Sequence, residues 1–305
     1  MAPKKSQRFL RLGLLVFCFQ ARLQALEILR LPWIFSDEPE ITADFDFGPA
    51  DAASTRVALA LGGRFSHFGL PRGAARAPEL DVHCEFVSPG SLVSHVAEMK
   101  GEISLSEVLK SSGLQFSRKH FSRSSPYVFK SEFSATVPPG DYNVIVSIED
   151  KELSIASRRT LHVIVPAMSS QQPFLSDLKF CLGVGQALDA QGKLKSVLDP
   201  NPWRQVGGAS AWELTVAYKT LGAPLQGSLW RRHSIWRLRG AAESPLWQEE
   251  SPAPAKKASQ FYLARVRPTA IKVLGRGIYV FKVELWPKGQ PNAILSSSKT
   301  FEILP

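Results

Sequence analysis

The chain has 305 residues, 44% of them hydrophobic and 21% charged, with a formal net charge of +10 at pH 7. That length accommodates two domains with buried cores, and that balance excludes a disordered or low-complexity polypeptide. Five basic residues, Lys4, Lys5, Arg8, Arg11 and Arg22, fall within the first 25 positions with no acid among them, so the remainder carries +5 (10 less 5) and its charge does not argue for nucleic acid as a partner.

The first element is a leader. Basic residues precede the apolar run Leu12-Gly-Leu-Leu-Val-Phe-Cys-Phe19, and Leu23-Gln-Ala25 offers a cleavage site with Ala25 the last residue removed. Spanning a bilayer takes about 20 apolar residues, more than this run supplies. Residues 1–25 therefore read as a signal peptide, leaving an exported, periplasmic or extracellular protein without a transmembrane segment. Phe17 before Cys18 is not the small residue that lipoprotein processing wants. Beyond the leader only Cys84 and Cys181 remain, each flanked by alternating apolar residues, which predicts two buried thiols rather than a disulfide framework.

Alternation of period two dominates the rest. Asp44-Phe-Asp46-Phe-Gly48-Pro-Ala-Asp51 resembles the first half of a calcium loop, but the bidentate Glu of such a loop is missing. Phe45 and Phe47 fit equally well a strand that buries one face and points its carboxylates to solvent at a sheet edge. Val57, Leu59 and Leu61 alternate with alanines, as in a strand covered on both sides. A short helix is predicted over Leu105–Lys110, with Ser104 as its cap, Glu107 completing a capping box and Gly113 just past its end. Gly183-Val-Gly185 lacks the third glycine of a dinucleotide fingerprint and reads as a turn. In Ala211–Lys219, Trp212, Leu214, Val216 and Tyr218 share the buried face. Leu229-Trp-Arg-Arg-His-Ser-Ile-Trp-Arg-Leu-Arg239 is the most unusual strand. Trp230 and Trp236 share parity with Arg232, while Arg231, His233 and Arg237 share the other face. Either the tryptophans point into a sandwich core with the arginines in water, or the aromatics and cations form a binding surface, with Trp247 beyond. Trp247–Lys257 reads as a Pro/Ala-rich loop.

Two stretches repeat. Phe133–Ile148 aligns without a gap on Ala270–Leu285, and Thr160-Leu-His-Val163 on Thr300-Phe-Glu-Ile303, with three extra residues assigned to the second copy's turn near Pro287–Pro291. Each copy is a closing hairpin whose long strand starts Gly-x-Tyr: Gly140 and Tyr142, then Gly277 and Tyr279. A tyrosine there, returning its hydroxyl to backbone upstream, is the tyrosine corner of immunoglobulin-like sandwiches. The expected fold is all-β, two tandem immunoglobulin-like β-sandwich domains: 26–166, a linker at 167–173, and 174–305.

The stretches GDYNVIVSIEDKELSIASRRTLHVIVP, PFLSDLKFCLGV, LDPNPWRQVGG and WELTVAYKTLG, between Pro138 and Gly222, resemble the non-catalytic β-rich region of bacterial GWxTD-domain proteins. There a PPG-x-Y strand closes one module and a Leu-Ser-Asp-Leu segment opens the next. The Gly-Trp-x-Thr-Asp motif itself is absent, so the resemblance implies an exported bacterial protein and no more.

Catalytic patterns are missing: no Gly-x-Ser-x-Gly, His-Glu-x-x-His, paired Cys-x-x-Cys or P-loop occurs, and the six histidines lack ligand spacing. The sequence reads as a non-enzymatic binding or assembly protein with no cofactor, no metal and no catalytic residue, recognising a protein partner or a surface glycan. The alternative is a carbohydrate- or polyanion-binding module using Trp230, Arg231, Arg232, Trp236, Arg237 and Trp247.

Overall fold

A computed structural model of the chain describes residues 33–35 and 41–305, except 52, 69, 71–74, 91–94, 112, 123–126, 151–154, 169–172, 189–193, 208–212, 222–228, 239–243, 254–259 and 290–294. The expected leader, Trp212 and Arg239 lie outside the described residues, as does part of the expected linker.

Residues 33–165 build one sandwich. Its first sheet contains β1 (Trp33–Phe35), β2 (Ile41–Pro49), β3 (Thr55–Arg64) and β6 (Val128–Val137), ordered β1-β2-β3-β6. Its second contains β4 (Glu79–Val87), β5 (His95–Ser104), β7 (Gly140–Asp150) and β8 (Ile155–Val165), ordered β5-β4-β7-β8. Alternate residues of both sheets, among them Phe45, Leu59, Cys84, Phe86, Phe129 and Val144, fill one core between them.

A second sandwich follows from β9 (Phe174–Leu175), β10 (Lys179–Leu188), β11 (Leu194–Pro200), β12 (Gln205–Val206), β13 (Leu214–Leu221), β14 (Leu229–Arg237), β15 (Trp247–Ala253), β16 (Gln260–Val266), β17 (Gly277–Pro287) and β18 (Leu295–Ile303). One sheet runs β11-β10-β13-β16, with β9 also on β13; the other runs β12-β18-β17-β14-β15. The ladder β15-β14-β17-β18 repeats β5-β4-β7-β8, and in both halves the chain crosses into this ladder from the other sheet, at β3 to β4 and at β13 to β14. Two packed sheets with these crossings, antiparallel except where the short β12 runs parallel to β18, are an immunoglobulin-like sandwich, and the chain has two.

The corner tyrosines close each hairpin as their spacing predicts. Tyr142 donates its hydroxyl to Pro138 O at 2.9 Å; Tyr279 donates to Gly275 O at 3.0 Å and also lies on Leu274 O. Each ring folds back over its own glycine. A Cβ on Gly140 would stand 3.1–3.2 Å from the Tyr142 ring and hydroxyl, and one on Gly277, where φ is +155°, would stand 3.4 Å from the Tyr279 ring. At Gly140 the tyrosine ring crowds any side chain, whereas at Gly277 the contact is ordinary and the positive φ is what favours glycine.

The repeat differs from the expected alignment in two respects. Phe133 lies in β6, whereas its counterpart Ala270 lies in a helix, α2 (Pro268–Leu274). Pro at the first helical turn and Gly275 at its end give the second sandwich a helical approach to its corner. The register also slips by two: Tyr142 faces Val163, and Tyr279 faces Phe301 rather than Ile303. Counted between equivalent pairs, the second hairpin is thus one residue longer, not three. A slip of two preserves which side chains face inward, so alternation alone does not detect it. One consequence is chemical. Lys299 occupies the inward position that Leu161 holds in the first sandwich.

The predicted helix is α1 (Leu105–Ser111), which precedes α2 in the chain. Glu107 N–H donates to Ser104 Oγ at 3.4 Å; Gly113 (φ +71°) and Leu114 donate back to Lys110 O and Leu109 O. That is a Schellman closure. Gly183 and Gly185, read as a turn, instead lie within β10, where the ladder is irregular between Cys181 and Gly183. Trp247–Ala253, read as a loop, is the edge strand β15, held by seven residue pairs with β14.

The sandwiches dock through their outer faces, that of β1-β2-β3-β6 against elements of the β11-β10-β13-β16 side. Lys130 pairs with Asp199 and Lys179 with Glu132 across the junction, and Asp177 N–H donates to Phe47 O at 3.1 Å. The turn Asn201–Arg204 sets Pro202 and Trp203 directly on β3. A Cβ on Gly62 would meet their rings at 2.7 and 2.6 Å. Val57, Leu59 and Leu61 face the core of the first sandwich while Ala58 and Ala60 face the second, which is why this strand carries apolar residues on both sides.

Candidate functional site

Strand β14 lies between β17 and the edge strand β15 in the last sheet and sets two different chemistries on its two faces. Leu229, Arg231, His233 and Ile235 point inward. His233 is 4% exposed, shares a 2.7 Å hydrogen bond with the Tyr218 hydroxyl and stacks on Phe281. Burial, reinforced by Arg231, pushes its pKa down to about 4, so the ring is neutral at physiological pH. Arg231 donates from Nε to Ser251 Oγ at 2.8 Å and its guanidinium lies 5.5 Å from the centre of the Tyr262 ring. Inward polar groups are tolerated here because neighbouring strands supply each with a partner.

Trp230, Arg232, Ser234 and Trp236 point outward. The expectation of inward tryptophans is therefore overturned: the core is satisfied by Leu229, Ile235 and the paired polar residues, and the indoles cover the outside of the sheet. Cross-strand register aligns their neighbours on the same face. Trp230 lies between Trp286 of β17 and Pro252 of β15; Arg232 lies between Glu284 and Glu250; Ser234 lies between Lys282 and Gln248. All three indoles are half-buried. Trp236 Nε1 donates to Ser234 Oγ at 2.9 Å, which fixes the ring against the sheet. Trp236 sits six residues along the strand from Trp230, about 20 Å at the rise of an extended chain.

The cations of this face are already engaged. Arg232 donates from Nε to Glu250 at 2.7 Å, reaches Glu284 at 3.7 Å, and lies 4.9 Å from the centre of the Trp286 ring. Lys282 pairs with Glu284 at 2.7 Å, and Gln248 donates to Glu250 at 3.0 Å. The face thus presents aromatic planes and a charge-balanced lattice of donors and acceptors.

Of the six residues singled out in the sequence, Trp230, Arg232 and Trp236 share this face. Arg231 and Trp247 belong to the inward parity, Trp247 half-buried against the core, and Arg237 is exposed at the end of β14. Trp286, missed beforehand, is the direct neighbour of Trp230. Its outward parity was legible from Phe281, Val283 and Leu285, but its partner depends on a register that only the folded sheet supplies.

The carboxylates of β2 have a different fate from either sequence reading. Strand β2 is interior to its sheet, not an edge, and Asp44 is 3% exposed. The Arg204 guanidinium grips both oxygens of Asp44, with Nε at 2.8 Å. Lys299 Nζ lies among Asp46, Asp177 at 3.2 Å, Asp44 at 3.6 Å and the carbonyl of Phe45 at 3.1 Å. The cation among these carboxylates is an ammonium. Among the described residues no group of three His, Cys, Asp or Glu is arranged to hold a metal ion. Burial works to raise Asp44, but Arg204 and Lys299 outweigh it and hold the carboxyl below its ordinary value. Arg204 has φ +48°, an uncommon conformation for a non-glycine residue, stabilised by its grip on Asp44 and by Asn201 Nδ2 donating to Gln205 O at 2.9 Å.

Cys84 and Cys181 are both buried free thiols, and burial pushes each up to about 12. No helix among the described residues is long and apolar enough to cross a membrane.

No protein-family model and no curated protein matches the chain. Among solved structures it is similar to red sea bream transglutaminase (8% identity, TM-score 0.22, covering 86% of this chain and 31% of that one). It is also similar to a Bifidobacterium dentium β-glucuronidase (11%, 0.25, 90% and 48%) and to the CupB6 tip adhesin of Pseudomonas aeruginosa (11%, 0.20, 86% and 99%). The chain spans less than half the length of the first two. Similarities this distant say nothing of activity or ligand.

Proposed function

We propose that this chain is an exported, non-enzymatic binding protein that recognises a neutral saccharide on the outer face of the β12-β18-β17-β14-β15 sheet. The outward Trp230–Trp286 pair carries this reading. Sugar rings present apolar C–H faces that stack on indoles, while their hydroxyls need donors and acceptors at the rim. Glu250, Glu284, Gln248 and Lys282 supply both. The engagement of Arg232 and Lys282 by carboxylates favours a neutral chain over a polyanion, which would need cations free to meet its charges. Export rests on the leader at residues 1–25, and the absence of catalytic motifs supports binding without turnover.

The test is a glycan array with the purified protein lacking its leader, run beside Trp230→Ala, Trp286→Ala and the double variant. Neutral oligosaccharides should be retained by the wild type, and the double variant should bind at least tenfold more weakly, about 1.4 kcal/mol. Thermal unfolding should change little, because the rings lie outside the core. Retention on heparin that is lost with salt and indifferent to both tryptophans would overturn the saccharide reading, as would an array without a neutral ligand.

A further inference from the structure

Five charged side chains meet where the two sandwiches dock: Asp44 and Asp46 of β2, Asp177 between β9 and β10, Arg204 of the Asn201–Arg204 turn, and Lys299 of β18. Three carboxylates face two cations. All five are largely withdrawn from water, with side-chain exposures of 5, 14, 19, 6 and 7% in that order. We propose that this junction is a proton-operated latch, in which uptake of one proton by the surplus carboxylate, Asp46, tightens the docking of the second sandwich on the first.

Asp46 and Asp177 both depend on the one ammonium of Lys299, and of the two Asp46 is the more buried and has no main-chain donor among the described residues. Asp44 takes a two-pronged grip from Nε and Nη2 of Arg204. Asp177 accepts from Leu178 N–H at 2.8 Å with one oxygen and from Lys299 with the other. Asp46 has Lys299, which it shares with both of the others and with a main-chain carbonyl. A buried charge that lacks a counter-charge of its own is neutralised by protonation more cheaply than by carrying it. The proton has a route. Asp46 and Asp177 line an open cleft of about 250 Å³ between the sandwiches. Its other charged groups are Glu132 and Lys179, which pair with each other, and Arg56 and Lys219.

The direction of the effect follows from linkage. Burial first, then the neighbouring charges of Asp44 and Asp177, raise Asp46 from 3.8 to about 6 despite Lys299. The folded state therefore keeps a proton between those two values that the unfolded chain has lost. The stabilisation is complete below 3.8 and disappears as pH rises through about 6. His233 works the other way, since a ring held neutral destabilises the fold as pH falls below its unfolded value. The contribution of Asp46 must accordingly be read as a difference between wild type and a variant.

Asp46→Asn removes the surplus charge at nearly constant shape. In the full chain it should raise the Tm at pH 7.5 and leave it close to wild type at pH 4.5. Carboxyl carbon NMR of the wild type should show Asp46 titrating near pH 6. Hydrogen exchange, corrected for its intrinsic pH dependence, should be slower at pH 5 than at pH 7.5 in β2 and in the Asn201–Arg204 turn. In Asp46→Asn that protection should be high at both pH values. An ordinary carboxylate titration at Asp46, a lower Tm for Asp46→Asn at pH 7.5, or protection independent of pH would each overturn the latch. The NMR and exchange measurements on wild type decide the matter even if the variant folds poorly. Neither depends on whether the tryptophan face binds saccharide.

Discussion

Removing a single oxygen from each corner tyrosine separates a corner that holds one carbonyl from a corner that holds two. Tyr142→Phe deletes one hydrogen bond, to Pro138 O at 2.9 Å, at a ring that is 5% exposed. The net loss for one such bond is about 0.5–1.5 kcal/mol. Tyr279 is fully buried and serves both Leu274 O and Gly275 O. Tyr279→Phe leaves two carbonyls at the end of α2 without that donor, and the expected cost rises to about 1.5–3 kcal/mol. Both rings keep their packing, Tyr142 edge-on to Phe86 and Tyr279 tilted on Phe301, so little of the loss comes from cavity formation. Urea unfolding followed by tryptophan fluorescence would measure both, with Tm shifts of about 2–4 °C per kcal/mol as a check for domains of this size. If Tyr279→Phe costs no more than Tyr142→Phe, the two-carbonyl corner is not what holds the second sandwich closed. If neither costs more than about 0.3 kcal/mol, the Gly-x-Tyr stretch is only a turn.

Arg204→Met should destabilise the chain by about 3–5 kcal/mol, because it leaves Asp44 buried without its fork. Adding Asp44→Asn should recover most of that loss, and equilibrium unfolding of the two single variants and the double variant would show it as a coupling energy. Gly62→Ala should cost about 1–3 kcal/mol by forcing Pro202 and Trp203 off β3, measurable as a Tm loss, whereas Gly48→Ala, where a Cβ meets nothing within 4 Å, should cost much less. Neither thiol should react with an aromatic disulfide reagent at pH 8 in the folded protein, and both should react promptly in denaturant, since burial holds Cys84 and Cys181 up to about 12.

The sequence by itself determined what is local or periodic. Alternation marked the strands through Val57–Leu61, Val144–Ile148 and Phe281–Leu285. Ser104, Glu107 and Gly113 marked α1, and Gly-x-Tyr marked both corners, because each signal is a short-range steric or hydrogen-bonding demand within a few residues. What alternation cannot say is which of two faces is the inner one when both carry large residues. On β14 that was decided by Tyr218, Phe281 and Ser251, which receive His233 and Arg231 from other strands and so leave Trp230 and Trp236 outside. Nor can a period of two fix register, and a slip of two moved Lys299 into the place of Leu161 without disturbing any pattern. The partners of Asp44 and Asp46 lie far along the chain at Arg204 and Lys299. Only docking of the two sandwiches brings them together, because the attraction between buried charges depends on distance in space and not on spacing in sequence.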